Sequence, residues 1–242
     1  MSDLNELLNE SIAKQAKEQA EALANTSGGL VSVDFQTKKI EHELSQYVQY
    51  AKRRCLEGFD CCIEAVYTNS HDDLQEFDEN IKEAFSRFDD TVYVLDMATK
   101  AAQGACWKDL LGLTDKTMSR LYEGAKSLFD RGSIPEAEAA FYFLTTVDVS
   151  QYAFWLGLGH AAFRLGNFNQ SINAYETAVL CEAHSVWPHI YIANCFESMN
   201  NYDESLNALE LALQECRAKD TLDKELEGLI VTRIAEAKSK LS

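Results

Sequence analysis

The chain has 242 residues, of which 46% are hydrophobic and 25% charged, and its two prolines among many helix-forming residues indicate an all-α globular protein. A formal net charge of -17 would repel phosphate backbones and anionic lipid, so we expect no nucleic acid partner and no membrane insertion. No apolar run approaches the ~20 residues that span a bilayer, and the acidic N-terminus is unlike a signal peptide, so the expected location is the cytoplasm.

The first part of the chain predicts helices that do not repeat. Residues 1–36 are predicted to be a weakly ordered helix and linker, because few apolar side chains precede a turn-forming run from Asn25 to Gly29. An apolar stripe predicts a second helix over about residues 38–66. A cap at Asp72 with Gln75 opens a third, with apolar positions at every third or fourth residue as far as Leu95. We therefore predict a helical hairpin in residues 37–112.

This predicted hairpin carries more apolar surface than two helices usually hide from each other. Phe77, Phe85 and Phe88 all lie on the third predicted helix of the chain, which is the second arm of the hairpin. The stripe must be buried by the repeats described next or by another chain. A homodimer is the simplest solution, because a two-fold interface uses the same patch twice.

A 34-residue internal repeat dominates the rest of the chain. Gly132, Gly166 and Asn200 are each separated by 34 residues, which is the spacing of tetratricopeptide repeats. Other columns recur at the same offsets, with small residues upstream and packing residues downstream. They are Ala125, Gly159 and Ala193; Leu128, Ala162 and Phe196; Ile134, Phe168 and Tyr202; Ala137, Ser171 and Ser205; Phe141, Tyr175 and Leu209; and Leu144, Ala178 and Ala212.

The turn residues support this division independently. Glycine or asparagine at the three anchors suits the left-handed position that ends a helix. Each second helix is predicted to open with a capping box, and both prolines fall in a first helical turn. The boxes pair Ser133 with Glu136, Asn167 with Gln170, and Asn201 with Glu204, and the prolines are Pro135 and Pro188.

The fold predicted from these patterns is all-α, with three tandem tetratricopeptide helix pairs and a capping helix after an N-terminal helical hairpin. The pairs are expected at about residues 118–148, 152–182 and 186–216. Residues 222–241 carry one apolar and one charged face, which suits a helix covering the end of a solenoid. The repeat domain is assigned to residues 113–242.

Motifs that carry catalytic chemistry are absent from the sequence. It has no phosphate loop, no Gly-x-Ser-x-Gly turn and no His-Glu-x-x-His pair, and its five histidines lie apart from plausible co-ligands. Seven cysteines without a Cys-x-x-Cys pair argue against a disulfide framework or a zinc site. The adjacent Cys61 and Cys62 are interpreted as reduced thiols on a helix. We expect neither enzymatic activity nor a cofactor.

The remaining candidate site is the concave side of the repeats, which first helices line in such a stack. Several residues expected there are large and apolar, so the surface suits an apolar guest. An extended segment could place alternate side chains in pockets, with polar groups meeting its backbone. For any one residue the alternative is packing between adjacent first helices. The candidate groove residues are Tyr122, Lys126, Phe129, Leu156, His160, Phe163, Arg164, Trp187, Ile190 and Asn194.

Residues 114–241 resemble the class II chaperones of type III secretion systems, which are small tetratricopeptide proteins that hold translocator subunits. The most specific matching segment is the run from Phe154 to Gly159, Phe-Trp-Leu-Gly-Leu-Gly. The other matching segments are Leu121-Tyr122, Gly132, Glu136-Ala137, Gly166-Asn167-Phe168 and Pro188. The resemblance covers about half of the chain, and the long N-terminal region departs from the family.

This resemblance implies a cytoplasmic chaperone that binds a translocator-like secreted client. An extended, proline-flanked segment of the hydrophobic client would lie in the concave groove, which would prevent premature association and membrane insertion until export. Lys126 stands where the family commonly has an aromatic residue. The family groove positions carried over to this chain are Tyr122, Phe129, Leu156, His160 and Phe163.

The sequence leaves one other function open and disfavours a second. The repeats could belong to a scaffold or assembly factor that binds a structural partner permanently. A co-chaperone adaptor with a carboxylate clamp is disfavoured, because such a clamp needs Lys and Asn on the first helices. Positions 122, 156 and 190 are Tyr, Leu and Ile instead.

Overall fold

The helices of the protein follow one another along the whole chain. The computed structural model describes residues 2–26, 32–69, 73–88, 90–218 and 223–241. Every regular element in these ranges is helical, so the all-α prediction is confirmed. The twelve helices are α1 (Ser2–Thr26), α2 (Val33–Asn69), α3 (Gln75–Phe85), α4 (Thr91–Ala102), α5 (Trp107–Leu111), α6 (Asp115–Asp130), α7 (Ile134–Val147), α8 (Tyr152–Arg164), α9 (Phe168–Cys181), α10 (Val186–Ser198), α11 (Tyr202–Ala218) and α12 (Lys224–Leu241).

The three predicted repeats are the helix pairs α6–α7, α8–α9 and α10–α11. Their first helices end as predicted, because Gly132, Gly166 and Asn200 have φ values of 85°, 76° and 58°. Glycine adopts this left-handed conformation without strain, and asparagine does so more easily than most residues. The amide of each following residue donates to the carbonyl five positions back, at 2.9 Å in all three turns. This bond satisfies a carbonyl that the end of the helix leaves unpaired.

The predicted capping boxes are wrong for the first two repeats. Asn201 does accept from the backbone amide of Glu204, at 3.3 Å. Ser133 and Asn167 make no side-chain cap bond, because their ψ values of 66° and 63° depart from the extended conformation of a capping residue. The side chain of Gln170 instead donates to the buried carboxylate of Glu138 at 2.6 Å. In the second repeat the glutamine therefore links α9 to α7 rather than closing its own helix.

Contacts divide the chain into two compact units. The repeat unit comprises residues 57–71 and 118–242, and the N-terminal unit comprises 1–56 and 72–117. The repeat unit thus starts earlier than the predicted domain of 113–242, and the predicted ranges 1–36, 37–112 and 113–242 stay a prediction.

The end of α2 packs closely on α7 within the repeat unit. A Cβ added at Gly58 would lie 2.0 Å from the carbonyl oxygen of Ala139. The Cys62 thiol is buried and donates to the carbonyl of Ala140 over 3.8 Å. A glycine at position 58 is therefore what allows the two helices to approach this closely.

The repeat columns form the core of this unit. Ala125 and Ala193 are fully buried, and Gly159 leaves room for the ring of Tyr175, the largest fully buried side chain among the described residues. Small residues on the first helices therefore admit large residues from the second helices. At the C-terminal end, α12 packs on α11 and buries Ile230 against Ile190, so α12 acts as the predicted capping helix.

The N-terminal unit differs from the predicted hairpin in its second arm. The apolar period across residues 74–95 predicted one long helix, but α3 ends at Phe85 and α4 begins at Thr91. The carboxylate of Asp90 accepts from the amides of Val92 and Tyr93, both at 3.1 Å. This N-cap starts a new helix where the apolar pattern continues without interruption.

The first helix of this unit is partly buried. Ile12, Ala16 and Ala20 are inaccessible on α1, which contacts α4. The helix predicted to be weakly ordered therefore has a packed stripe. Of the other predicted features, the glycines of the linker at 28 and 29, the cap at Asp72 and the start of the capping helix at residue 222 lie outside the described residues.

The sequence predicted neither a membrane span nor a disulfide. Within the described residues, no helix is long and apolar enough to cross a membrane. All seven cysteines are free thiols. Burial, with the nearby carboxylates of Glu136 and Glu64, raises the pKa of Cys61 above its ordinary value. The Cys61 thiol is therefore protonated at neutral pH.

Candidate functional site

A cavity of about 260 Å³ opens between the first helix pair and α8. Three elements build it: α6, α8 and the aromatic ring that α7 contributes. Apolar and aromatic side chains dominate its wall, as in most sites that take a small apolar group. Its lining consists of Tyr122, Lys126, Phe129, Asp130, Phe141, Tyr152, Ala153, Leu156, Gly157 and His160.

Aromatic packing fixes the wall of this cavity. The Tyr122 ring lies 6.2 Å from Phe141 in an edge-on arrangement and 5.6 Å from Phe154. Phe141 can reach the wall only because position 157 is glycine, where a Cβ would stand 2.3 Å from its ring. Burial raises the pKa of Tyr122, so its phenol stays neutral. The wall is consequently preorganised and uncharged.

His160 forms the floor at the junction of the second and third repeats. Its Nδ1 lies 2.8 Å from the hydroxyl of the buried Tyr175. Its ring makes edge-on contacts with Tyr175 at 5.5 Å and with Tyr191 at 4.6 Å. Burial lowers the pKa of His160, which keeps the imidazole neutral near pH 7. One ring nitrogen is thus occupied within the protein, and the floor carries no charge.

A row of rings extends from the cavity toward the third repeat. Phe129 lies 6.5 Å from His160, His160 contacts Tyr191, and Tyr191 stacks on Trp187 at 6.1 Å with 25° between the planes. Trp187 remains 46% exposed. We call Phe129, His160, Tyr191 and Trp187 the aromatic row. It offers a flat apolar surface beyond the enclosed cavity.

Cations stand at the rim of the cavity. Lys126 is exposed and pairs with Asp130 at 2.8 Å, and the hydrogen bond that Lys126 donates to this carboxylate raises the pKa of Lys126. The guanidinium carbon of Arg164 lies 5.7 Å from the centre of the Phe129 ring. An arginine over a ring is attracted by the negative face of the π-system. The apolar interior is therefore bordered by charged groups.

The structure brings most of the predicted groove residues together. Tyr122, Lys126, Phe129, Leu156 and His160 line the one cavity, and Arg164 adjoins it through Phe129. Trp187 is the exposed end of the aromatic row. Asn194 is half-buried on α10, in the turn following Tyr191. The ten predicted positions as a set stay a proposed binding site.

Two of the predicted residues lie elsewhere. Ile190 is buried in a cluster with Val186, Ala212, Cys216 and Ile230, so it is a core residue and does not face the groove. The reason is that α12 takes the place of a next repeat and covers it. Phe163 is half-buried and packs edge-on against Phe168 at 5.5 Å. It supports the second repeat and does not line the cavity.

The sequence interpretation missed three aromatic residues of this surface. Tyr191 is one position beyond Ile190, and its spacing of four from Trp187 was the signal that both share a helix face. Tyr152, whose hydroxyl lies 2.8 Å from that of Ser185, was assigned to no column. Phe141 was taken only as a packing residue, although it also forms the cavity wall.

One of the three repeats matches a known family model. The family model described as "Tetratricopeptide repeat" matches residues 152–180, which cover α8 and nearly all of α9. This match falls on the second repeat, which the sequence pattern also identified most clearly. The prediction of a tetratricopeptide fold is therefore confirmed.

Several individual proteins are similar to this chain. The chain is 24% identical over 135 residues to the chaperone protein SicA of Salmonella typhimurium, covering 56% of this chain and 82% of the relative. A crystal structure of a type III secretion complex from Aeromonas hydrophila matches with a TM-score of 0.55 at 21% identity, over 60% of this chain and 96% of the other. The resemblance to type III secretion chaperones over about half of the chain is confirmed.

A further solved structure contains a bound partner segment. PcrH of Pseudomonas aeruginosa, in complex with the chaperone binding region of PopD, matches with a TM-score of 0.50 at 19% identity. The match covers 54% of this chain and 98% of PcrH. At this identity the likeness shows a shared fold.

Proposed function

We propose that this protein is a cytoplasmic chaperone of a type III secretion system. It holds a hydrophobic, translocator-like secreted client by an extended segment that lies along the cavity and the aromatic row. The observation that carries this proposal is the preorganised apolar cavity between α6 and α8, which no side chain of the described residues fills. A neighbour with the same fold is solved with a partner's chaperone binding region.

The proposed binding mode follows from the shape of the site. Successive side chains of an extended segment point to opposite sides, and residues two apart lie about 7 Å from each other. One apolar side chain enters the cavity, where Leu156 and Tyr122 contact it. A second, further along, rests on the exposed ring of Trp187. Because both subsites are apolar and the rim is polar, the client segment is amphipathic.

The same geometry supports binding without catalysis. The titratable groups of the floor, His160 and Tyr175, are bonded to each other and held neutral by burial, which lowers the pKa of the histidine and raises that of the tyrosine. A general base must accept a substrate proton, and burial makes His160 a weaker base by lowering its pKa. We infer that this surface holds a client and leaves its covalent structure unchanged.

The test is a binding titration with peptides that cover the hydrophobic secreted proteins encoded in the same genome. Full-length wild type is compared with the double variant Tyr122→Ala plus Leu156→Ala. Each truncated anchor should weaken binding by roughly 1–3 kcal/mol if it is a hot spot. Leu180→Ala is the matched control, because Leu180 is exposed on α9 away from the cavity. Unchanged affinity of the double variant, at unchanged helicity, would overturn the proposal.

Co-expression with the identified client separates a chaperone from a permanent scaffold. A chaperone keeps the client soluble and releases it to a competing peptide within the time of the experiment. A complex that never exchanges would favour a scaffold, which was the alternative drawn from the sequence. The comparison requires only wild type and the client that the titration identifies.

A further inference from the structure

The two cations at the rim of the cavity, Lys126 and Arg164, differ in whether a carboxylate neutralises them. Lys126 is paired with Asp130, and both residues belong to the cavity lining. Arg164 is exposed, and in the described parts of the chain no carboxylate lies within 4 Å of its guanidinium. It is held instead over the ring of Phe129, which lines the cavity. The charged guanidinium of Arg164 therefore lies beside the entrance of the cavity, and no described carboxylate neutralises it.

An arginine in this position is prepared to bind an anion. Its guanidinium is charged at every physiological pH and presents donors in a planar fork that matches a carboxylate. Stacking on Phe129 restricts the side chain in advance, so less conformational entropy is lost when a carboxylate binds. The net charge of -17 makes most of the surface repel acidic groups. The entrance of the cavity, where Arg164 lies, is consequently one place on this acidic surface that can attract an acidic group.

Two other features in the described part of the repeat unit lack this combination of an apolar cavity and an unpaired arginine. The small cavity beside Cys61 is lined by Glu64 and Glu136 as well as Arg131, so its carboxylates outnumber its one cation. Arg233 and Arg217 are paired with Glu197 and Glu227 at 2.9 Å and 2.6 Å. Arg164 thus differs from these arginines in having an apolar cavity at its side and no carboxylate on it.

We propose that the client segment carries an aspartate or glutamate within one to three residues of the side chain that fills the cavity, and that Arg164 binds this carboxylate. This inference rests on the proposed function and specifies the chemistry of its ligand. The spacing follows because the guanidinium lies 5.7 Å from the centre of the Phe129 ring in the cavity lining, which is within the ~7 Å that residues two apart span in an extended chain. The site selects an apolar side chain and a neighbouring anion together.

The experiment uses a displayed library of extended peptides with one fixed leucine and random flanks, selected on the full-length protein. The selected peptide is then synthesised in two forms that differ only in Glu or Gln at the flanking position. Wild type should bind the Glu form about two- to fivefold more tightly, the range expected for an exposed ion pair, and the difference should shrink with added salt. Arg164→Gln should remove the preference while keeping the affinity for the Gln form.

Two further variants complete the test. Arg131→Gln removes an exposed arginine that lies outside the groove and should leave the preference intact. Arg164→Glu should reverse it, so that a Lys-flanked peptide binds best. Equal affinity of wild type for the Glu and Gln forms, or an undiminished preference in Arg164→Gln, would overturn the inference, because a backbone carbonyl would then suffice as the partner of Arg164.

The same data separate this inference from the proposed function. If Leu156→Ala binds both peptide forms as wild type does, the cavity is not the binding site and the proposed function fails. If Leu156→Ala weakens both forms equally while wild type shows no preference for Glu, the cavity binds the client and only the role of Arg164 is wrong.

Discussion

The two compact units bury apolar surface in different ways. All of the largest fully buried side chains among the described residues, led by Tyr175, belong to the repeat unit. Both units expose some aliphatic side chains, such as Leu180 at 85%, but the exposed Phe and Tyr rings lie mostly in the N-terminal unit, where Phe35 is 64% and Tyr47 65% exposed. The repeat unit is therefore stabilised by close helix contacts of its own. The N-terminal unit keeps apolar surface available, which favours contact with another chain.

Truncation of one tyrosine in each unit should show the largest contrast. Tyr175→Ala should lower the free energy of unfolding by about 3–5 kcal/mol, because it removes a buried ring and leaves His160 without its hydrogen bond. Tyr47→Ala should change it by less than about 0.5 kcal/mol, because the side chain is mostly exposed. Urea unfolding followed by circular dichroism measures both. Similar losses in the two variants would show that the units do not differ as described.

Glycine substitutions test whether close contacts between helices stabilise the repeat unit. A Cβ at Gly159 would stand 2.4 Å from the Tyr175 ring, so Gly159→Ala should destabilise by about 1–3 kcal/mol. Gly228 on α12 has no such neighbour within 4 Å, so Gly228→Ala should stabilise by up to about 1 kcal/mol through helix propensity. Thermal unfolding of both variants gives the comparison. A stabilised Gly159→Ala would mean that Tyr175 can move aside freely.

Exposed aromatic residues of the N-terminal unit should control self-association. The double variant Phe35→Ser plus Tyr47→Ser should weaken the predicted homodimer by about tenfold or more, since each side chain is a potential hot spot of 1–2 kcal/mol. Sedimentation equilibrium measures the change. Leu180→Ser is the control, because that leucine is 85% exposed on the repeat unit. A wild-type protein that stays monomeric at high concentration would exclude the homodimer.

Acid should weaken the repeat unit by a smaller amount. Burial lowers the pKa of His160 and of His189, so the unfolded state binds protons at a higher pH than the folded state. The free energy of unfolding should therefore fall as the pH drops below about 6.5, by at most ~1.4 kcal/mol per pH unit for each histidine. Unfolding midpoints from pH 7.5 to 5 measure the slope. His160→Gln and His189→Gln should each flatten it; an unchanged slope in both would assign the effect to other groups.

The sequence predicted the repeat unit well because its signals are local and recur. The left-handed turns at Gly132, Gly166 and Asn200 and the buried columns require only helix spacing and turn chemistry. The residues that line the groove were harder to predict from the sequence. A fixed offset of 34 placed Ile190 beside Tyr122 and Leu156, but the last repeat is followed by α12, and Ile230 buries that position. The repeat period cannot show where a solenoid ends.

The N-terminal unit lacked such recurring signals. The apolar period across residues 74–95 is continuous, and only the side chain of Asp90 reveals that a new helix starts there. The contribution of residues 57–71 to the repeat unit was also hidden, since a helical stripe does not indicate which distant helix covers it. The positions of Gly58 and Cys62 become informative only when α7 is known to lie beside them.

The hydrogen bond between Cys62 and Ala140 joins residues that are 78 positions apart in the chain. During synthesis at about 5–20 residues per second, the end of α2 leaves the ribosome several seconds before its partner helix exists. Throughout that interval Gly58, Cys62 and Val66 lack the helix that covers them in the folded protein. The contact between α2 and α7 therefore joins an early segment to a later one, and the rate of synthesis sets the earliest moment at which this contact can form.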